Sequence, residues 1–178
     1  MLDRLTPLEQ SVSGLRVNFA LDSDSGAIAH FVEQSVLRQG RDKLTDRKDL
    51  TNIATFYREH LGQVIVVKDA AGNVVGTGGF KQSKNPSVAE MTRIYVDESM
   101  RGKGIGDSLV SEVIKRATSF GYADMNLWVW SQSEAAVALY KKHGFEINKS
   151  SASGDWHFMT LSLRPGSLYA KPAAAAAN

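Results

Sequence analysis

Residues 90–120 read EMTRIYVDESMRGKGIGDSLVSEVIKRATSF. Residues 90–96 are rich in β-branched and aromatic side chains, the composition of a strand. Polar residues 97–100 then turn the chain into Arg101-Gly102-Lys103-Gly104-Ile105-Gly106. Beyond the glycines, Ile105, Leu109, Val110, Val113, Ile114 and Ala117 recur at the spacing of one helix face. A strand, a glycine-rich turn and a helix start make an anion site. Backbone N–H groups there lack intrahelical partners, and the helix dipole adds roughly half a positive charge. Glycine lets that backbone approach a phosphate because no Cβ intervenes. Arg101 and Lys103 add charge beside it, so the ligand implied is a phosphate or pyrophosphate.

Spacing narrows the choice. No G-x-x-x-x-G-K-[ST] run exists, and G-x-G-x-x-G fails because Asp107 stands where the third glycine belongs. What remains is R-x-x-G-x-G, made by Arg101, Gly104 and Gly106. Here the sequence resembles the GNAT superfamily of acyl-CoA-dependent N-acyltransferases, whose [QR]-x-x-G-x-[GA] signature directly follows a strand. A second local resemblance is A-x-x-L-Y-x-x-x-G-F, present as Ala136, Leu139, Tyr140, Gly144 and Phe145. It falls about 35 to 40 residues after the first motif, as in the family.

The remaining elements extend outward from this stretch. Upstream, residues 15–21 alternate as a strand. Asp22, Ser23, Asp24 and Ser25 offer N-caps for a helix with Ile28, Phe31, Val32, Ser35 and Val36 on one face, stopped by Gly40. A charged linker, residues 41–48, leads to a second helix over 49–61, with Leu50, Ile53, Ala54, Tyr57 and Leu61 as its apolar face. Strands over 63–68 and 74–82 follow; Gly76, Gly78 and Gly79 in the latter mark a bulge or a close backbone approach. Downstream, residues 125–130 read as a strand with Leu127 and Val129 opposite Trp128 and Trp130. A short helix over 134–143 and strands over 145–148 and 156–163 close the chain. Residues 1–14 read as a leader and 164–178 as a disordered or expression-derived tail. The order β-α-α-β-β-β-α-β-α-β-β over residues 15–163 is that of the GNAT fold. The resemblance implies an α/β (α+β) domain with a mixed central sheet of about seven strands, helices on both faces and splayed central strands.

Composition excludes much. The 178 residues carry a net charge of +2, which gives no reason to expect a nucleic-acid or membrane surface. With no cysteine, disulfides, thiolate zinc sites and a cysteine nucleophile are ruled out. His30, His60, His143 and His157 show no metal-ligand spacing, so no metal is expected. No apolar run approaches membrane-spanning length, and the expected location is the cytoplasm.

The resemblance implies acetyl-CoA as acyl donor, with the backbone of Gly102, Lys103, Gly104, Ile105, Gly106 and Asp107 facing its pyrophosphate and Arg101 ordering the loop. Ile94, Tyr95 and Val96 would pair through their backbone with the pantetheine arm, like an added strand. Tyr140 matches the family's general acid to the departing thiolate, a role that suits a phenol of pKa about 10. Ser133 stands where many members carry a cofactor-contacting asparagine. An amine must lose a proton to attack; Glu90, on the strand face of Thr92, Ile94 and Val96 by a period of two, is one candidate base and water is the other. Residues 127–130, where some members carry a glutamate, hold no carboxylate. Arg93 reads as a contact for an acidic substrate group or as a solvated strand charge. Trp128, Trp130 and Trp156 read as acceptor-pocket lining or core. The activity implied is N-acetyl transfer to a primary amine of a small metabolite by direct attack in a ternary complex. A protein N-terminal or lysine acetyltransferase and a non-catalytic acyl-CoA sensor are the alternatives. Monomer and homodimer both remain open.

Overall fold

The computed structural model describes residues 14–41 and 47–164. The leader (apart from Gly14), the tail (apart from Arg164) and most of the charged linker lie outside the described residues. Within them are strands β1 Arg16–Phe19, β2 Gln63–Lys68, β3 Val74–Gln82, β4 Val88–Val96, β5 Asp124–Trp130, β6 Glu146–Ser150 and β7 Trp156–Ser162. The α-helices are α1 Ser25–Arg38, α2 Ile53–Glu59, α3 Ile105–Ser119 and α4 Glu134–Lys142. Backbone hydrogen bonds order seven strands β1-β2-β3-β4-β5-β7-β6. The sheet is mixed. β4 and β5 run parallel, as strands joined by a crossover helix can, whereas the β1–β2, β2–β3, β5–β7 and β6–β7 pairs are antiparallel.

The chain divides into two compact units that share β4 and α3. One holds the described residues up to Lys81 with Met91–Val113; the other holds Gln82–Glu90 with the described residues from Ile114 onward. In the first unit β2 is buried on both faces, which explains its unbroken run of apolar residues. Val64 and Val66 pack with Ile28, Phe31 and Val32 of α1 and Ile53 and Tyr57 of α2. The other face of the first unit's strands meets α3 across glycines. A methyl group added at Gly78 would lie 2.9 Å from Ile94 Cδ1 and 3.4 Å from Val113 Cγ2, and one at Gly76 would lie 3.4 Å from Leu109 Cδ1. Close approach accounts for Gly78, and Gly76 also lies beside a bulge, where the β2–β3 register slips from Val67↔Gly76 to Lys68↔Val74.

The helix expected over 49–61 is shorter than its pattern. Lys48–Leu50 forms a separate 3-10 turn and α2 covers only Ile53–Glu59. Side chains from far upstream fix its start. Ser25 Oγ accepts the Ile53 N–H at 3.0 Å, and Asp22 accepts the Thr55 N–H at 3.0 Å and its hydroxyl at 2.6 Å. Its end is set where Leu61 turns to a φ of 49° and the Gly62 N–H donates to the Tyr57 carbonyl at 2.7 Å. Leu61 is therefore exposed rather than part of the buried face.

In the second unit, the β4–β5 register runs Val88↔Asp124, Ala89↔Met125, Glu90↔Asn126, while β5 pairs with β7 along its whole length to Trp130↔Trp156. Met125, Leu127 and Val129 are buried, and Trp128 is 47% exposed. Trp128 is thus not a core residue: it tilts against Phe158, with the Lys149 ammonium 5.0 Å from the Phe158 ring centre.

Two glycine substitutions have opposite expected signs. A Cβ at Gly62 would meet Phe80 O at 1.9 Å, so Gly62→Ala forces β3 to move and is expected to cost about 3 kcal/mol. At Gly26, inside α1, a Cβ meets nothing within 4 Å. Gly26→Ala is expected to stabilise by about 0.5–1 kcal/mol. Urea denaturation of the two variants beside wild type checks both.

Candidate functional site

The glycine loop has the backbone that its sequence promises. Gly102 and Gly104 adopt φ values of 74° and 79°, in the left-handed region that side-chain-bearing residues avoid. Left-handed residues on either side of Lys103, whose own φ is not positive, are the alternation on which anion nests are built. The Ser108 N–H donates to the Gly104 carbonyl at 3.0 Å, so the N–H groups of Gly104, Ile105 and Gly106 precede the first intrahelical bond of α3. A Cβ added at Gly102 or Gly104 would meet no atom within 4 Å. The space over these two backbones is open, and the loop fits a pyrophosphate that must approach it closely. Arg101 and Lys103 are exposed at its edge, Arg101 facing Glu98 at 3.5 Å and the Lys103 ammonium 3.4 Å from Met100 Sδ. The turn before the loop is held by Asp97, which accepts the Ser99 N–H at 3.0 Å and its hydroxyl at 2.6 Å.

The last part of β4 departs from the regular strand its sequence predicts. Arg93 has a φ of 56°, an uncommon conformation for a non-glycine strand residue and one that costs about 1–3 kcal/mol. Four side chains offset that cost. Asp49 accepts from Arg93 Nε at 2.9 Å and from Nη2 at 2.7 Å, a two-point contact. The Tyr57 hydroxyl donates to Asp49 Oδ2 at 2.9 Å. Having given its one proton there, it accepts from Thr92 Oγ1 at 2.8 Å. Thr77 Oγ1 donates to the Arg93 carbonyl at 2.8 Å.

This arrangement overturns two expectations. Arg93 is not a solvated strand charge, since its guanidinium pairs through Nε and Nη2 with Asp49. The period of two also breaks. Thr92 and Arg93 both reach the side where Tyr57 and Asp49 lie, Ile94 reaches the Gly78 face that Leu109 and Val113 also reach, and Tyr95 packs on the α1–α2 cluster. Thr92 and Ile94 therefore do not share a face, and the alternation drawn from Glu90 through Val96 stops at the left-handed Arg93.

Burial works against charge on Asp49, yet the Arg93 guanidinium and the Tyr57 hydroxyl outweigh it and hold the carboxyl below its ordinary range. Burial, followed by the Asp49 charge, pushes the Tyr57 hydroxyl well up, so it remains a donor at any ordinary pH. The sequence missed Asp49, Thr77 and the polar role of Tyr57. Its only usable signal was an arginine within a largely apolar strand.

The other expected site residues are placed as follows. Glu90 is half-buried on the last rung of the β4–β5 register. Tyr140 is buried on α4 with its ring edge-on to Phe145 at 5.8 Å. Ser133 is the N-cap residue of α4, but its hydroxyl makes no cap bond there. His143 is buried at the end of that helix, its N–H shared between the Leu139 and Tyr140 carbonyls. Among the described residues no group of three or more His, Asp or Glu gathers as a metal site, and no helix is long and apolar enough to cross a membrane.

The sequence profile of the acetyltransferase (GNAT) family matches residues 30–145. An uncharacterized N-acetyltransferase of Schizosaccharomyces pombe is 27% identical over 145 residues, 82% of this chain and 88% of that one. The L-methionine sulfoximine/L-methionine sulfone acetyltransferase of Pseudomonas paraeruginosa is 31% identical over 137 residues, 66% of this chain and 76% of that one. Several other relatives are longer, and this chain spans 26% to 38% of their length. Among solved structures, a putative acetyltransferase from Salmonella typhimurium with acetyl-CoA superposes with a TM-score of 0.72 at 24% identity, covering 91% of this chain and 99% of that one. That likeness establishes the fold.

The Asp49 contacts have a pH signature. Because its folded pKa is lowered, the stability it contributes is complete above the unfolded value of about 3.9 and is lost as the pH falls through the folded value. Wild type is expected to lose stability more steeply than Asp49→Asn between about pH 4 and pH 2 in urea titrations. Asp49→Ala, which strands the buried guanidinium, is expected to cost about 3–5 kcal/mol at neutral pH.

Proposed function

The chain belongs to the acetyltransferase (GNAT) family, and we propose that it transfers acetyl from acetyl-CoA to the primary amine of a small metabolite. The observation that carries this reading is the loop at Gly102 and Gly104, whose left-handed backbone lies beneath open space at the start of α3. Acetyl-CoA supplies the activated acyl group as a thioester. The chain's part is to hold the donor, place the amine and manage two protons.

In this reading the N–H groups of residues 102–107 bind the pyrophosphate, with Arg101 and Lys103 adding charge at the rim. The backbone of Ile94, Tyr95 and Val96 hydrogen-bonds the pantetheine arm in the manner of an added strand. Tyr140 donates a proton to the departing thiolate. Glu90, directly or through water, accepts the proton from the amine, and the Ser133 hydroxyl contributes a cofactor contact. The chain has no cysteine to carry an acyl group, which favours direct attack by the amine. An amino-acid-like acceptor is supported by the named substrate of the P. paraeruginosa relative. We place the reaction in the cytoplasm, with no metal.

Two variants and an amine panel test the proposal. Tyr140→Phe is expected to lower acetyl-CoA-dependent thiol release by about 100-fold while acetyl-CoA affinity stays within about threefold of wild type. Unchanged turnover removes Tyr140 from the acid role. Gly104→Glu is expected to abolish acetyl-CoA binding in calorimetry, because it adds bulk and like charge where the pyrophosphate lies. Free amino acids are expected to release thiol faster than peptides offering only an N-terminus or a lysine. The reverse order identifies a protein acetyltransferase.

A further inference from the structure

We propose that Asp49 is a positioning residue for acyl transfer, acting through Arg93 to set the backbone of residues 94–96. The inference rests on the reading of that edge as the partner of the pantetheine arm. A non-glycine residue within a strand does not hold a φ of 56° unaided. At Arg93 every stabilising contact described above comes from a side chain, and the strongest, the two-point contact from Asp49, arises in the 3-10 turn Lys48–Leu50 rather than in the sheet. Tyr57 ties that carboxylate to Thr92, and Thr77 holds the Arg93 carbonyl. The group is buried: Asp49 is 7% exposed, Tyr57 1% and Thr77 0%.

What the clamp controls is the direction of the next three residues. With Arg93 left-handed, Ile94 takes the Gly78 face that Leu109 and Val113 also reach, while Tyr95 takes that of the α1–α2 cluster. In a regular strand a shift of one residue would exchange these faces and turn the N–H and C=O groups of 94–96 with them. The groups offered to an extended ligand at this edge are therefore chosen by a carboxylate that touches neither ligand nor reacting atom. The glycine loop carries its own turn, fixed by Asp97 and the left-handed glycines, and does not draw on Asp49. Loss of the clamp should separate the two halves of cofactor recognition.

The test is the double variant Asp49→Leu/Arg93→Met, which replaces the buried ion pair by apolar groups of similar size and leaves Tyr57 bonded to Thr92. The readouts are kcat and KM for acetyl-CoA, and calorimetric affinity for 3′-phosphoadenosine 5′-diphosphate, the coenzyme A fragment without the pantetheine arm. We expect kcat/KM to fall by about 100-fold while the fragment's affinity changes by less than about threefold. A folded double variant with turnover within about threefold of wild type overturns the proposal. Should that protein not fold, Asp49→Asn keeps the volume without the charge; a drop of about tenfold in kcat/KM with intact fragment binding supports the clamp, and no drop overturns it. Wild type that binds neither acetyl-CoA nor the fragment defeats the functional reading itself, and the clamp with it.

Discussion

A buried ion pair governs the most consequential departure from regularity in this chain. Asp49 and Arg93 make a two-point contact inside a low-dielectric layer, where removing either partner leaves an uncompensated charge. Such pairs are poor sources of net stability, because desolvation cancels much of their attraction. Their value lies in specificity. Here the pair selects one backbone conformation at Arg93 that the residue would not otherwise adopt. Much of the first unit supports that choice. Ser25 and Asp22 fix the start of α2, α2 aims Tyr57, and Tyr57 joins Asp49 to Thr92.

Around this fixed point the first unit uses glycine in two physical ways. At Gly76 and Gly78 the missing side chain lets α3 approach β3, and contact is what forbids a larger residue. At Gly102 and Gly104 nothing crowds the position, and the constraint is the left-handed backbone. One residue type thus serves close packing in one place and backbone conformation in another, and only its surroundings tell the two apart.

Much of this was legible in the sequence, for reasons that particular elements make clear. The strands at Gln63–Lys68 and Val74–Gln82 end where polar turns and glycines punctuate them, and α3 starts at Ile105, where its apolar period begins. Those signals are local. The length of α2 was not legible, since its start depends on side chains about thirty residues upstream, and the apolar spacing continues through Leu61 after the helix has ended. The left-handed turn at Arg93 was equally hidden. A period of two assumes a regular strand, and Arg93 reads as an ordinary strand charge unless its carboxylate is known to lie 44 residues away. Tyr57 was placed on the correct apolar face, but the pattern says nothing about where its hydroxyl finds a partner. The glycine loop needed only neighbouring residues, and so both its conformation and its place before α3 could be read directly.

In the proposed reaction one ligand is held by the glycine loop and by the edge of β4 together. Amide chemical-shift mapping during an acetyl-CoA titration tests it most directly, because it reports the backbone groups themselves. The largest shifts are expected in two clusters, residues 102–107 and residues 94–96, saturating together as a single binding event. Saturation with the loop cluster moving and residues 94–96 unmoved, or with neither cluster moving, would contradict it.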